Sequence, residues 1–228
     1  MDYWREAVDL YCERTGPGFW AEPVNAVSNA AFLVAGFAAL HRARKENADI
    51  WLQLLCLWAA AIGVGSFLFH TLANRWSELA DVVPIWSFIA AYVVFTLRRM
   101  FALDWRVIGI AAVVSLAVVA LVMVLLPESS GDGTNQSTQY IPAVLALAAF
   151  AAALLWSRHP GARLVIAACA VFALSLFFRS IDLAVCEALP VGTHFLWHLL
   201  NAAMVGLLLL VAIRHGGTAE RPGAHATT

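Results

Sequence analysis

Charge is scarce in this chain. Only 13% of its 228 residues are Asp, Glu, Lys or Arg, while 62% are hydrophobic, a balance far from that of soluble globular proteins. There is no basic stretch interleaved with aromatics and no glycine-rich phosphate loop, which excludes nucleic acid as an expected partner. No internal repeat is evident. The N-terminus, MDYWREAVDLYCER, is polar and acidic and has no apolar core. It is therefore not read as a cleavable signal peptide, and insertion falls to the first span itself. The near-neutral net charge of −1 says little about partners, because in a membrane protein the placement of charge matters more than its sum.

What the chain has in abundance is long apolar runs, and they predict an all-α polytopic membrane protein. Seven runs are each read as long enough to cross a hydrocarbon core of about 30 Å. They are expected at Val24 to Leu40, Ile50 to Leu72, Leu79 to Leu97, Val107 to Leu126, Tyr140 to Ser157, Leu164 to Phe178 and Gly192 to Ile213. Together they make one seven-span domain over 1–213 that begins with a short acidic segment (1–23). A polar tail, 214–228, is expected to be disordered and cytoplasmic, with His215 and His225 as solvent residues.

Orientation is read from Lys and Arg. Alternate connections and the tail carry Arg42, Arg44, Lys45, Arg98, Arg99, Arg106, Arg158, Arg163, Arg214 and Arg221, whereas the other side carries only Arg5, Arg14, Arg75 and Arg179. Positive charge accumulates on the cytoplasmic side, so the N-terminus is expected outside and the C-terminus inside.

The polar residues inside the spans carry the chemistry. In GVGSFLFHTLANRWSELAD, Ser66 and His70 are four apart and share a helical face, and Asp81 follows eleven residues after the histidine. In THFLWHLLN, His194 and His198 are again at i and i+4. The expected topology brings all of these into the outer half. A lone buried histidine is often a hydrogen-bonded packing residue. Three converging imidazoles, however, are the protein ligand set of a catalytic zinc that keeps a fourth position for water, and ionisable groups inside a membrane default to function. Asp81 would be the acid/base partner. Asn201, three residues past His198, is read either as supporting the ligands or as an interhelical packing amide.

The outer N-terminal segment, DLYCERTGPGFWAEPVNAVSN, brings Asp9, Glu13 and Glu22 around a Gly16-Pro17-Gly18 turn. Such carboxylates can supply the oxygen ligands that Ca²⁺ prefers, or they can be an ordinary solvated acidic stretch. Of the four cysteines, Cys56 and Cys169 fall inside spans and are read as apolar packing residues. Cys12 and Cys186 fall on the outer side, where an oxidising compartment allows a disulfide.

Taken in order, the YCER…AEPVNAVSN segment, the GSFLFH block with Asp81 eleven residues on, and the HFLWH block resemble the alkaline ceramidase family. The likeness extends to the wider superfamily of seven-span putative hydrolases that includes the progestin and adiponectin receptors. The matching elements reach from about Asp9 to Asn201. The resemblance implies a zinc held by His70, His194 and His198, with Ser66 and Asp81 as the serine and aspartate of the site. It also implies a calcium at the N-terminal segment, with Glu13 and Glu22 as ligands, Asp9 nearby and a backbone carbonyl of Tyr11. This chain departs there: Leu10 stands at the aspartate position, with Asp9 one place out of register, and Thr15 at the asparagine position. A disulfide between Cys12 and Cys186 is implied as well.

The expected activity is zinc-dependent hydrolysis of ceramide or a related N-acyl lipid to a free fatty acid and an amine. A different class also fits the sequence: a non-catalytic, zinc-stabilised seven-span receptor or transport protein. Direct coordination of the metal by Asp81 would favour that second class, because structural zinc sites are closed by four protein ligands.

Overall fold

A computed structural model of the chain describes residues 3–125 and 137–216, the side chains of 118–125 excepted. Among the described residues it is all-helical. The α-helices are α1 (Pro23–Ser28), α2 (Ala30–Lys45), α3 (Ile50–Leu72), α4 (Arg75–Arg99), α5 (Trp105–Leu125), α6 (Ile141–Trp156), α7 (Ala162–Ile181) and α8 (His194–His215). Among the described residues six stretches are long and apolar enough to cross a membrane: Pro23–Lys45, which joins α1 to α2, α3, α4, Ser137–Trp156, α7 and α8. The run expected at Val107 to Leu126 falls on α5, an apolar helix whose side chains are described as far as Ala117. The tail beyond 216, with Arg221 and His225, lies outside the described residues. His215 closes α8, its ring edge-on to His159 at 4.8 Å, so it is a packed residue and not simply a solvent one.

Burial explains the arrangement. In α3 and α8, 56% of the most apolar window is buried, against 22 to 33% in the other four candidate spans. Those two helices form the centre, and Leu55, Phe95 and Leu209 are among the residues that close the core around them. The outer faces of α5, α6 and α7 expose Leu116, Leu145 and Phe177. Large apolar surfaces left open in this way suit contact with lipid.

Local sequence sets the helix ends. Asp49 caps α3 by accepting from the Leu52 N–H at 3.1 Å, and Asn74 and Ser77 form a reciprocal capping box at the start of α4. Between α3 and α4 the chain reverses through Ala73, whose φ of 42° is left-handed. The N-terminal segment lies over that turn, with Val8 N–H donating to Ala73 C=O at 2.9 Å and Arg75 N–H to Glu6 C=O at 3.2 Å.

One contact between α3 and α4 places chemistry. Pro84 has no N–H to offer the Ala80 carbonyl four residues back, and that carbonyl lies against Gly65, where an added methyl would overlap it. The glycine lets the two helices close at this level. Ser66 is thereby brought beside Asp81.

Candidate metal centre and active site

His70 comes from the last turn of α3, and His194 and His198 come from the first two turns of α8. All three are buried, and one potential ligand atom from each lies within 4.8 Å of the others. Among the described residues this is the one cluster of three or more His, Cys, Asp or Glu that could close on a metal ion.

The hydrogen bonds decide which nitrogens are free. His70 Nδ1 lies 2.6 Å from Glu22 Oε2, so it donates to the carboxylate and leaves a lone pair on Nε2. Ser28 Oγ donates its proton to the Asn25 carbonyl at 2.8 Å. It must then accept from His198 Nδ1, 2.7 Å away, which leaves the lone pair of His198 on Nε2 as well. The two Nε2 atoms face each other at 3.1 Å. Two lone pairs at that distance repel, and a cation held beside both removes the conflict. His194 Nδ1 is buried without a hydrogen-bond partner in the structure, as a ligand atom would be. The residues present therefore fit a metal ion, each imidazole oriented by its surroundings in the way that ligating histidines are.

His194 is fixed from two sides. Asp182, fully buried at the α7–α8 connection, accepts from the N–H groups of Thr193 (2.7 Å), His194 (2.9 Å) and Cys12 (3.1 Å). It thus caps the start of α8. Gly192, at φ 67°, passes so close to the Asp182 carboxylate that a side chain there would collide with it. The Tyr11 ring stacks on the His194 ring, with centroids 3.6 Å apart and planes 17° apart. Burial pushes the Tyr11 phenol well above its ordinary range, so it stays a neutral donor and acceptor, and it accepts from Arg179 at 3.0 Å.

Arg179, counted among the outer charges at the end of its span, lies in the last turn of α7 and is buried, its guanidinium 5.2 to 5.6 Å from the ring centroids of Trp197, Tyr140 and Tyr11. The reason is cation–π compensation, which lets a charge leave water when aromatic faces enclose it. Its place is beside the site.

Asp81 and Ser66 sit next to the histidines as expected, and Asp81 Oδ1 is buried with no hydrogen-bond partner in the structure. A cavity of about 360 Å³ meets the site at Ser66 and His198, while Asp81, His70 and His194 are outside its lining. Ser66, His198 and Asn201 line one end, and Phe88, Phe150 and Leu208 are among its apolar walls. It follows α4 from Ile85 to Leu97, about 18 Å at 1.5 Å per residue. Asn201 donates to the Trp197 carbonyl of its own helix at 2.9 Å and does not bond a histidine.

The two glutamates named for calcium have other partners. Glu13 accepts from the N–H groups of Val24 (2.7 Å) and Asn25 (2.8 Å) and so caps α1. Glu22 pairs with His70 and with Arg14, and Asp9 is exposed. Burial would raise the Glu22 pKa, but the hydrogen bond from His70 and the charge and hydrogen bond of Arg14 outweigh it and hold the carboxyl below its usual range. The disulfide joins Cys12 to Cys186, with Cα atoms 5.3 Å apart, and Cys56 and Cys169 are free.

The sequence did not point to Glu22, Ser28, Asp182 or Arg14 as supports of the histidines. One signal existed for the second of these: Asn25, Ser28 and Asn29 put three polar side chains into an otherwise apolar span, and polar groups there tend to be functional.

Helices of membrane-crossing length and three buried imidazoles that could hold a metal ion, beside a buried carboxyl and an apolar cavity, are the features of an integral membrane protein with a candidate metal site. The chain belongs to the Ceramidase family, whose model matches residues 11–223. Membership supports a ceramidase-like amide hydrolase acting on a lipid substrate. A comparison with curated proteins gave no match.

Proposed function

We propose that this protein hydrolyses the amide of ceramide or a related N-acyl lipid with the help of zinc. The observation that carries the reading is that His198 belongs both to the histidine cluster and to the wall of the long apolar cavity. An acyl chain in that cavity would bring its carbonyl to the polar end. A zinc ion held by His70, His194 and His198 would polarise the carbonyl and lower the pKa of a water toward about 7.

The chain's own groups do the rest. Asp81 takes the proton from the attacking water and delivers it to the amine nitrogen as the C–N bond breaks, so amide and water become acid and amine. Ser66 donates to the carbonyl oxygen as negative charge grows there. Glu22 and Ser28 keep the Nε2 atoms of His70 and His198 unprotonated. Tyr11 and Asp182 hold His194 in place.

We propose also that α5 is a seventh span and that the N-terminus lies outside, which puts the site in the extracytoplasmic half of the membrane. The ten basic residues on one side of the expected topology support this. The Cys12–Cys186 disulfide supports it too, because such bonds persist in oxidising compartments.

The deciding experiment incubates the purified protein with a panel of N-acyl lipids, with and without a zinc chelator, and detects released fatty acid by mass spectrometry. Release that needs the metal is expected. Zinc-loaded protein that cleaves none of them would return the chain to the non-catalytic receptor or transport class.

A further inference from the structure

Calcium is the second ion that the family resemblance implies, and the residues named for it do not fit it here. Both Glu13 oxygens are taken by backbone N–H groups, and one Glu22 oxygen is taken by His70. The other Glu22 oxygen, Oε1, accepts from Arg14 Nε at 2.5 Å. Arg14 also donates to the carbonyl of Gly16 at 3.1 Å and to the carbonyl of His70 at 2.8 Å. The two side chains are 5% and 3% exposed. A divalent ion bound at Glu22 would sit against this guanidinium with like charge and no room to move apart.

We infer that Arg14 is a built-in cation that does for this chain what a bound calcium would do, leaving the fold calcium-independent. Its three partners are one carboxylate and two backbone carbonyls, the oxygen donors a hard cation selects. The guanidinium meets them with fixed, directional N–H groups. The result is a clamp on His70 at two points: Arg14 holds its backbone carbonyl directly, and through Glu22 it steadies the acceptor of the ring's Nδ1–H. The N-terminal segment is thereby fastened to the end of α3 that carries the ligand. Arg14 is a positioning residue, since it touches neither the cavity lining nor the imidazole nitrogens turned toward the metal.

The test uses the full chain in detergent, freed of calcium by passage over a chelating resin and reloaded with zinc. Thermal midpoint is measured as calcium is added to about 1 mM, which covers the weakest protein calcium sites. The midpoint of the wild type should not move, and a rise with calcium would overturn the inference. Arg14→Ala should weaken zinc binding about ten- to a hundredfold, the usual effect of losing a group that orients a ligand, and Arg14→Lys should recover part of it. Wild-type zinc affinity in Arg14→Ala would also overturn it. The affinity measurement rests on the zinc reading proposed above. The calcium titration does not, so it decides the matter even if zinc is not the metal or Arg14→Ala does not fold.

Discussion

Glu22 and His70, 48 residues apart in sequence, share a 2.6 Å hydrogen bond between two almost fully buried side chains. A carboxylate on the far nitrogen of a ligating histidine fixes its tautomer and raises its basicity. In Glu22→Gln the shape is kept and the charge is lost, so zinc affinity should fall by about 10 to 100-fold. Competition against a chromophoric chelator measures this, and unchanged affinity would remove Glu22 from the site.

His70→Ala, His194→Ala and His198→Ala should each lose most bound zinc, because three ligands become two. Elemental analysis of the purified variants checks it. Stoichiometric zinc in all three would mean that the ion binds elsewhere.

Asp81→Asn separates a proton carrier from a ligand. Zinc content should stay at the wild-type level while amide hydrolysis falls by roughly 10² to 10⁴. Ser66→Ala should likewise keep zinc and lose about 10² to 10³, the scale of one oxyanion donor. Loss of zinc in Asp81→Asn would instead make Asp81 a fourth ligand, and wild-type turnover in it would end its role as base.

A bond closing 174 residues restricts the unfolded chain strongly, so Cys12→Ser should cost about 2 to 5 kcal/mol of stability. Denaturant titration measures that loss. Thiol labelling without reduction should reach at most Cys56 and Cys169. Labelling of Cys12 in the unreduced protein would show the bond to be absent.

Six of the seven expected runs were legible as helices of membrane-crossing length because such a helix writes itself as an unbroken apolar run: Ile50–Leu72 was expected and found with the same bounds. The histidine cluster was legible for a similarly local reason, since His194 and His198 stand one turn apart and His70 ends a run at the same end of the bundle. The supports were not. Glu22 reaches His70 across 48 residues and Ser28 reaches His198 across 170, and contacts at such separations leave no period in the chain. Composition left the acidic residues near the tight turn open between an ion site and a solvated stretch, whereas in the structure Glu13 caps the start of α1 and Glu22 serves an imidazole. The enclosure of Arg179 was not legible because its aromatics, Tyr11, Tyr140 and Trp197, come from three other parts of the sequence.

The tie between Cys12 and Cys186 also sets an order of events during synthesis. Tyr11 and Arg14 are synthesised long before the helix that carries His194 and His198. Until the connection that holds Cys186 and then that helix are made, Cys12 lacks its partner, Asp182 lacks the N–H groups of Thr193 and His194, and Tyr11 lacks a ring to stack on. The three histidines therefore come together only once that helix has been made, and a nascent chain that lacks it has no such cluster to offer a metal ion.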